Sequence, residues 1–470
     1  MLFNSFVFWF FFLFVYTTYL CIGHRAQNYL LLGASYVFYA AWDVRFLSLI
    51  LLSTIIDYFC GLKIAQSSEP RIRKRYVTIS VFSNLLILGF FKYFDFFVAN
   101  ANHLASQLGL STQLPLLEII LPVGISFYTF QTMSYAIDIY RKEVEPTQSF
   151  LDFALFVSFF PQLVAGPIER AKNLLPQVLG QRLISLDKFY SGAFLCFWGL
   201  FKKVYVADNL APLVNSVFSR SAGLHGPDII IALYAFAFQI YCDFSGYTDI
   251  ARGTAKMMGF DLMFNFRLPY FASNPSEFWK RWHISLSSWL RDYLYIPLGG
   301  SKSRRWLTYR NLFLTMLLGG LWHGAAWTFV AWGIYQAILL ISHRVAYPIL
   351  NRSKFLNTFA GHVVCVVIFF QFICIGWLLF RAESISQALE FIQLIVNEPR
   401  LSNHTVSLTL TFLQFSWPLL IVQGLQAKLS DYSIIEKSPI IVRIFVYLLM
   451  MFLMIFWGVD NGQEFIYFQF

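Results

Sequence analysis

Residues 311–343 limit the possible folds of this chain more than any other segment. These 33 residues contain no Lys, Arg, Asp or Glu. One helix of that length would measure about 50 Å, whereas the hydrocarbon core of a bilayer is only about 30 Å thick. Three glycines fall within six residues at 319–324, so we predict a break there. His323 would then lie at irregular backbone deep in a membrane, which makes it a candidate functional residue.

The composition indicates a polytopic integral-membrane protein. The 470 residues are 58% hydrophobic and 13% charged, whereas soluble domains contain about 25% charged residues. We expect one membrane domain over 1–470, with a C-terminal tail at 459–470. The net charge of +10 falls in short loops, where basic residues indicate topology, so we expect no nucleic-acid partner. The six cysteines form no CxxC pair, and we expect no metal site.

Apolar runs predict an all-α fold of about 11 to 12 transmembrane helices, with re-entrant and interfacial amphipathic helices around a central tunnel. The basic loop at 63–75 should be cytoplasmic. The run at 150–166 is flanked by basic residues and followed by Gly166-Pro167, so it should enter the membrane and return. The predicted spans cover 4–22, 27–42, 45–62, 76–99, 115–139, 189–207, 228–243, 362–380, 408–426 and 441–458, and residues 311–343 add one or two.

A second histidine lies in a predicted interfacial helix. Asn274 is a good N-cap, Pro275 suits the first helical position, and Glu277 gives a start that resembles a capping box. Aromatic residues then recur at helical spacing up to Pro297, so we predict one amphipathic helix at the inner interface. His283 lies on or beside its aromatic face. It is either a hydrogen-bonded core group or a functional residue that points into the protein.

Charged residues also lie within or beside the predicted span at 228–243. These are Asp243, Asp249 and Arg252. Asp249 and Arg252 are three residues apart, so they would pair on a helix. Alternatively, the three charges shape a polar tunnel.

Taken together, several motifs resemble the membrane-bound O-acyltransferase family, in particular its bacterial branch that O-acetylates alginate and peptidoglycan. The resemblance covers nearly the whole chain. The motifs are Gly166-Pro167-Ile168-Glu169-Arg170, Tyr241-Cys242-Asp243-Phe244-Ser245-Gly246-Tyr247, Arg281-Trp282-His283-Ile284-Ser285-Leu286-Ser287, Leu321-Trp322-His323-Gly324 and Phe465-Ile466-Tyr467-Phe468-Gln469-Phe470.

This resemblance implies an acyltransferase of the bacterial inner membrane, with His323 as the catalytic residue and His283 as a second functional histidine on the cytoplasmic side of the tunnel. It implies an acyl thioester donor, which we take to be acetyl-CoA, and no metal. It also implies a soluble periplasmic O-acetyltransferase partner of the SGNH type and a polysaccharide acceptor. Tyr467 matches the position of a proposed covalent acyl acceptor, although a tail of Phe and Tyr also serves as an interfacial anchor.

Acyl transfer from a thioester to a hydroxyl requires a base near the attacking oxygen. Trp322 and Trp327 would exclude water, which otherwise hydrolyses the thioester. Two other functions fit the same sequence: direct acylation of a lipid or protein hydroxyl, and transport of a polar glycan without acyl chemistry. A preference for long acyl chains would indicate the first of these, and the absence of thioester chemistry would indicate the second.

Overall fold

The structure is a computed structural model, and it describes residues 1–110, 113–164, 166–220, 222–302, 304–459 and 465–466. Every regular element in these residues is helical, so the all-α prediction is confirmed. The α-helices are α1 (Phe6–Cys21), α2 (His24–Ala40), α3 (Leu47–Gln66), α4 (Pro70–Gln107), α5 (Ile125–Tyr140), α6 (Phe150–Ser158), α7 (Phe160–Leu163), α8 (Ala171–Leu179), α9 (Leu186–Leu200), α10 (Asp208–Phe218), α11 (Gly226–Met257), α12 (Pro275–Arg281), α13 (Ile284–Leu290), α14 (Arg305–His323), α15 (Trp327–Leu350), α16 (Phe359–Arg381), α17 (Ile385–Asn397), α18 (Asn403–Leu429), α19 (Ile434–Lys437) and α20 (Ile440–Trp457). Short 3₁₀ segments cover Val44–Phe46 and Pro269–Phe271, and π-helical segments cover Phe201–Ala207 and Arg291–Tyr295.

Seven helical segments of the described chain are long and apolar enough to cross a membrane. The prediction of a polytopic membrane protein is therefore confirmed, with fewer such segments than the 11 to 12 expected. The difference arises partly because some apolar runs form shorter helices, such as α1 with 16 residues and α2 with 17, whereas a span needs about 20 residues. The seven are Val44–Gln66, Pro70–Gln107, Gly226–Met257, Trp327–Leu350, Phe359–Arg381, Asn403–Leu429 and Ile440–Trp457.

The chain divides into two compact units, which we describe separately. The first contains Met1–Cys196 and Ile250–Met263, and the second contains Phe197–Asp249 and Phe264–Phe470. His283 and His323 belong to the second unit. The single membrane domain expected from the composition stays a prediction.

In the first unit, the segment predicted to re-enter the membrane forms two short helices. α6 has nine residues and α7 has four. At about 1.5 Å per residue, neither is long enough to cross a bilayer. Pro161 lies in the first turn of α7 and starts the second helix. Further along, in the motif at 166–170, Glu169 is fully buried and accepts a hydrogen bond from the N–H of Met263 at 2.6 Å.

In the second unit, the predicted break in residues 311–343 is confirmed. α14 ends at His323, Gly324 follows in an extended conformation, and α15 begins at Trp327. The two helices pack closely against each other because Gly320 presents no side chain at their contact. A Cβ atom on Gly320 would lie 2.4 Å from the carbonyl oxygen of Phe329, which is too close for any real side chain. The same glycines that interrupt the apolar run therefore let the chain turn back on itself.

The prediction of one amphipathic helix from Pro275 towards Pro297 is wrong. The segment forms two seven-residue helices, α12 and α13, with Trp282 and His283 between them. The predicted start is confirmed, because the side chain of Asn274 accepts a hydrogen bond from the N–H of Glu277 at 2.9 Å. Local helix signals are therefore correct at this end, and contacts from elsewhere in the unit interrupt the helix after its second turn.

Candidate active site

His323 ends α14 inside an enclosure of aromatic rings. Its side chain is 5% exposed. Three rings meet the imidazole edge to face, and their centroids lie 5.0 Å away for Trp322, 5.0 Å for Trp332 and 5.3 Å for Phe380. These rings come from α14, α15 and α16, so three helices must pack before the enclosure exists. Such an apolar wall around an imidazole favours its neutral form, which is the form that accepts a proton.

Gly324 explains why the chain can leave the enclosure directly after His323. A Cβ atom at this position would lie 2.1 Å from a ring carbon of Phe329. The Phe329 ring in turn packs against Phe380, with the centroids 4.9 Å apart. Any side chain at position 324 would displace the rings that support the enclosure, so glycine is the residue that fits this turn.

His283 is fully buried and has an unusual backbone conformation. Its φ of 42° and ψ of 54° place it in the left-handed region, which few residues other than glycine, Asn and Asp adopt. Asn265 stabilises this bend from a distant part of the chain. Its carbonyl oxygen accepts from the N–H of Ile284 at 2.9 Å, and its side chain accepts from the N–H of Ser285 at 3.2 Å.

Trp282, directly before His283, is 1% exposed and fixes the bend from the other side. Its ring packs against Phe266 and Trp377, with centroid distances of 5.0 and 4.9 Å. The burial of such a large side chain stabilises the fold by a few kcal/mol. This gain is of the same size as the cost of one left-handed residue, which is about 1 to 3 kcal/mol.

Both candidate histidines neighbour the same indole. The ring of Trp322 lies 5.0 Å from the ring of His323 and 6.0 Å from that of His283. Burial lowers the pKa of His283 to about 3, so this imidazole is neutral at physiological pH. The structure thus brings the two predicted histidines around one tryptophan in a buried, aromatic environment. A neutral imidazole in such a place can accept a proton from a hydroxyl as that hydroxyl attacks a thioester.

A charged cleft adjoins α12. It has a volume of about 640 Å³ and contains Lys280, His343 and Arg344 together with Glu277. The aromatic face of the same helix points towards the enclosure of His323, because the ring of Trp279 lies 5.9 Å from that of Trp332. The cleft and the enclosure are therefore built on one short helix.

Of the tail motif at 465–470, the structure describes Phe465 and Ile466, and Tyr467 lies outside the described residues. Both described side chains are buried. The ring of Phe465 lies 5.7 Å from Phe244, and Phe244 lies 4.7 Å from the ring of His283. The start of the tail motif therefore shares an aromatic neighbour with one of the two histidines.

Sequence reasoning missed part of the enclosure. Trp332 and Phe380 lie in later helices, and no spacing rule connects them to His323. Trp322 is buried, whereas Trp327 is 58% exposed, and the role of Trp327 in excluding water stays a prediction. Trp332, five residues further along α15, is the tryptophan of that helix whose ring packs against His323. Among the described residues, no group of three His, Cys, Asp or Glu could hold a metal ion.

Comparison with known proteins identifies the family. The model of the membrane-bound O-acyltransferase family matches residues 141–386, which include both histidines. The chain is 45% identical over 390 residues to the probable alginate O-acetylase AlgI of Pseudomonas aeruginosa, covering 83% of this chain and 73% of the relative. It is 38% identical over 386 residues to the peptidoglycan O-acetyltransferase of Helicobacter pylori, covering 77% and 72%.

A more distant relative is the teichoic acid D-alanyltransferase of Bacillus subtilis, 29% identical over 279 residues, with 56% of this chain and 69% of the relative covered. The match to the family model, the two relatives above 30% identity and the apolar helices lead to one conclusion. The chain is a multi-pass enzyme that belongs to the membrane-bound O-acyltransferase family.

Proposed function

We propose that the chain is a bacterial inner-membrane O-acetyltransferase that moves acetyl groups from a cytoplasmic thioester to an exported or cell-wall polysaccharide. The donor is acetyl-CoA. The acetyl group passes His283 and His323 and is carried by Tyr467, from which a soluble periplasmic acetyltransferase of the SGNH type delivers it to the polysaccharide. The observation that most supports this function is the aromatic enclosure of His323, together with the alginate and peptidoglycan named in its relatives.

The proposed chemistry begins with attack of the Tyr467 phenol oxygen on the thioester carbonyl carbon. The new C–O bond forms, the C–S bond breaks, and His323 takes the phenol proton and returns it to the leaving thiolate. Complete proton transfer from Tyr to His before attack would be uphill by about 3.5 pKa units, or roughly 5 kcal/mol. Proton removal must therefore accompany attack, as general-base catalysis. In the second step an acceptor hydroxyl attacks the tyrosyl ester, and the tyrosine regains its proton.

The donor side of the proposal is supported by the cleft beside α12. Lys280 and Arg344 provide positive charge there, and acetyl-CoA carries several phosphate charges. The acetyl end of the donor would reach the enclosure beyond Trp279. The enclosure favours a small acyl group, because Trp322, Trp332 and Phe380 surround His323 closely. The close packing of these three rings around His323 favours acetyl transfer over acylation with a long fatty chain.

The experiment that tests this function compares two histidine variants in cells that lack the native protein. His323→Ala should abolish acetylation of the polysaccharide, measured as acetate released by mild alkali from the cell wall and from exported polysaccharide. His362→Ala is the matched control, because His362 is exposed on α16, and it should retain acetylation. Full acetylation with His323→Ala at normal expression would contradict the mechanism.

The tyrosyl step has its own measurement. Mass spectrometry of the C-terminal peptide should find an acetyl adduct on Tyr467 when acetyl-CoA is present and the periplasmic partner is absent. Tyr467→Phe should remove the adduct and the acetylation of polysaccharide together. A fully active Tyr467→Phe variant would remove this residue from the mechanism while leaving the role of His323 in place.

A further inference from the structure

The two described residues of the tail motif at 465–470 contact a buried acidic side chain of the second unit. The backbone N–H of Ile466 donates a hydrogen bond to Oδ2 of Asp243 at 2.7 Å. The ring of Phe465 packs against Tyr247, with the centroids 4.5 Å apart. A hydrogen bond from a backbone N–H to a carboxylate is stronger than one between neutral groups, so this contact holds the main chain at Ile466.

Asp243 lies in an apolar helix, and a buried lysine faces its other oxygen. Nζ of Lys203 lies 2.8 Å from Oδ1 of Asp243 and 2.9 Å from Oδ1 of Asp208, and the three side chains are at most 4% exposed. Isolated charges in such a place would cost several kcal/mol each. The lysine engages Oδ1, and the tail engages Oδ2.

Two local features of the chain bring Lys203 and Asp243 together. A Cβ atom on Gly246 would lie 2.8 Å from the carbonyl oxygen of Gly199, so glycine allows α11 to approach the helix that carries Lys203. Lys203 itself lies in the π-helical segment Phe201–Ala207. Such widened turns are rare and often occur at functional sites. A close helix contact and an irregular turn thus bring the lysine to Asp243.

The contact between Asp243 and Ile466, which we call the anchor, is connected to His283 through the residue that follows Asp243. Phe244 follows Asp243 in α11, and its ring neighbours both Phe465 and the imidazole of His283. Tyr467, in turn, directly follows Ile466 in the sequence. The backbone that is fixed by Asp243 therefore belongs to the residue before the proposed acyl acceptor.

From these contacts we infer that Asp243 is a positioning residue, which holds the tail by the N–H of Ile466 so that Tyr467 is presented for acyl transfer. This inference rests on the proposed function for the role of Tyr467. The hydrogen bond and its test do not depend on it. Lys203 supports this contact by holding Oδ1 of Asp243 in place, and Asp208 is the second carboxylate that Lys203 contacts.

The test uses the purified full-length protein with two readouts: release of C-terminal residues by carboxypeptidase, and the acetyl adduct on the C-terminal peptide. Asp243→Ala should speed the release and lower the adduct, each by about tenfold or more, as expected for the loss of a hydrogen bond to a charged group. Asp243→Asn keeps an acceptor for the N–H of Ile466. In this variant the rate of tail release and the amount of acetyl adduct should therefore return most of the way to the parent values. The KM for acetyl-CoA should not change in either variant.

A pair of tail variants makes the test independent of the folding of the buried charge cluster. Ile466→Pro removes the N–H donor and should release the tail faster than Ile466→Ala, which keeps the donor and loses only the buried side chain beyond Cβ. Asp228→Asn is a further control, since Asp228 is an equally buried carboxylate on α11 that accepts from Thr405 instead. It should leave the release of the tail unchanged.

The outcomes separate this inference from the proposed function. An unchanged release rate in both Asp243→Ala and Ile466→Pro would overturn the anchor. Faster release in these variants, with no adduct even in the parent protein, would leave the anchor standing and overturn the acyl-tyrosine step.

Discussion

Gly320 and Gly333 lie face to face where the two helices around His323 come closest. A Cβ atom on Gly320 would lie 2.9 Å from the Cα atom of Gly333 and 2.4 Å from the carbonyl oxygen of Phe329. Both obstacles are backbone atoms, which cannot move as a flexible side chain can. The position of His323, one turn further along α14, therefore depends on the absence of side chains at this contact.

We expect Gly320→Ala to force α14 and α15 apart. The cost of overpacking is about 1 to 3 kcal/mol, so the variant should melt at a lower temperature in detergent. It should also acetylate more slowly, because His323 would move relative to Trp332. Gly424→Ala on α18 is the matched control, since a Cβ atom there meets nothing within 4 Å. Equal melting temperatures and activities for the two variants would contradict the close contact.

The sequence alone was sufficient to locate His323 and the break beside it. An uncharged stretch too long for one span, with three glycines in six residues, has few other solutions in a membrane. The N-cap at Asn274 was also predictable, because its signal is local. In both cases the physical cause lies within a few residues of its effect.

The bend at His283 could not be predicted in this way. Helical spacing and capping favoured one continuous helix, but Asn265 and the aromatic cluster around Trp282 override that preference. Trp332 and Phe380 were missed for the same reason: they meet His323 only after three helices have packed. The side chain of Asp243 was noted as a charge in an apolar run, but its partners Lys203 and Ile466 lie far away in the sequence.

The low pKa of His283 predicts how activity depends on pH. Because burial lowers this pKa to about 3, the proton leaves the imidazole at a much lower pH than usual, and the group stays neutral between pH 5 and pH 8. Any fall in acetylation between those values must come from another group. His283→Asn, which tolerates the left-handed backbone, should lower the rate by a similar factor at every pH. Measurement of initial rates with acetyl-CoA from pH 5 to pH 8 checks this. A fall in rate at one end of this pH range that is present in the parent protein and absent in the variant would show that His283 titrates.

The charge of the cleft beside α12 predicts an effect on donor binding. Lys280→Glu combined with Arg344→Glu replaces two positive charges with two negative ones, so the KM for acetyl-CoA should rise by about tenfold or more, equivalent to about 1.4 kcal/mol of binding free energy. The rate at saturating donor should change much less, because neither side chain lies in the histidine enclosure. Higher salt should weaken donor binding to the parent protein for the same reason.

Lys354→Glu is the control for the cleft. Lys354 is exposed and lies outside the cleft lining. Its KM for acetyl-CoA should match that of the parent. An unchanged KM in the double variant would place donor binding elsewhere on the protein.

The size of the enclosure predicts which acyl groups the enzyme accepts. Phe380 is 2% exposed and packs against His323, Phe329 and Trp332. Phe380→Ala should open space beside the imidazole, so transfer from butyryl-CoA should increase relative to transfer from acetyl-CoA by about tenfold or more, since one methylene already discriminates by that factor in an apolar pocket. Phe372→Ala on the same helix is the control, because that ring is 43% exposed. The ratio of butyryl to acetyl transfer, measured with both donors in competition, should stay at the parent value in the control. A ratio that is equally unchanged in Phe380→Ala would mean that the acyl group is not held beside His323 during transfer.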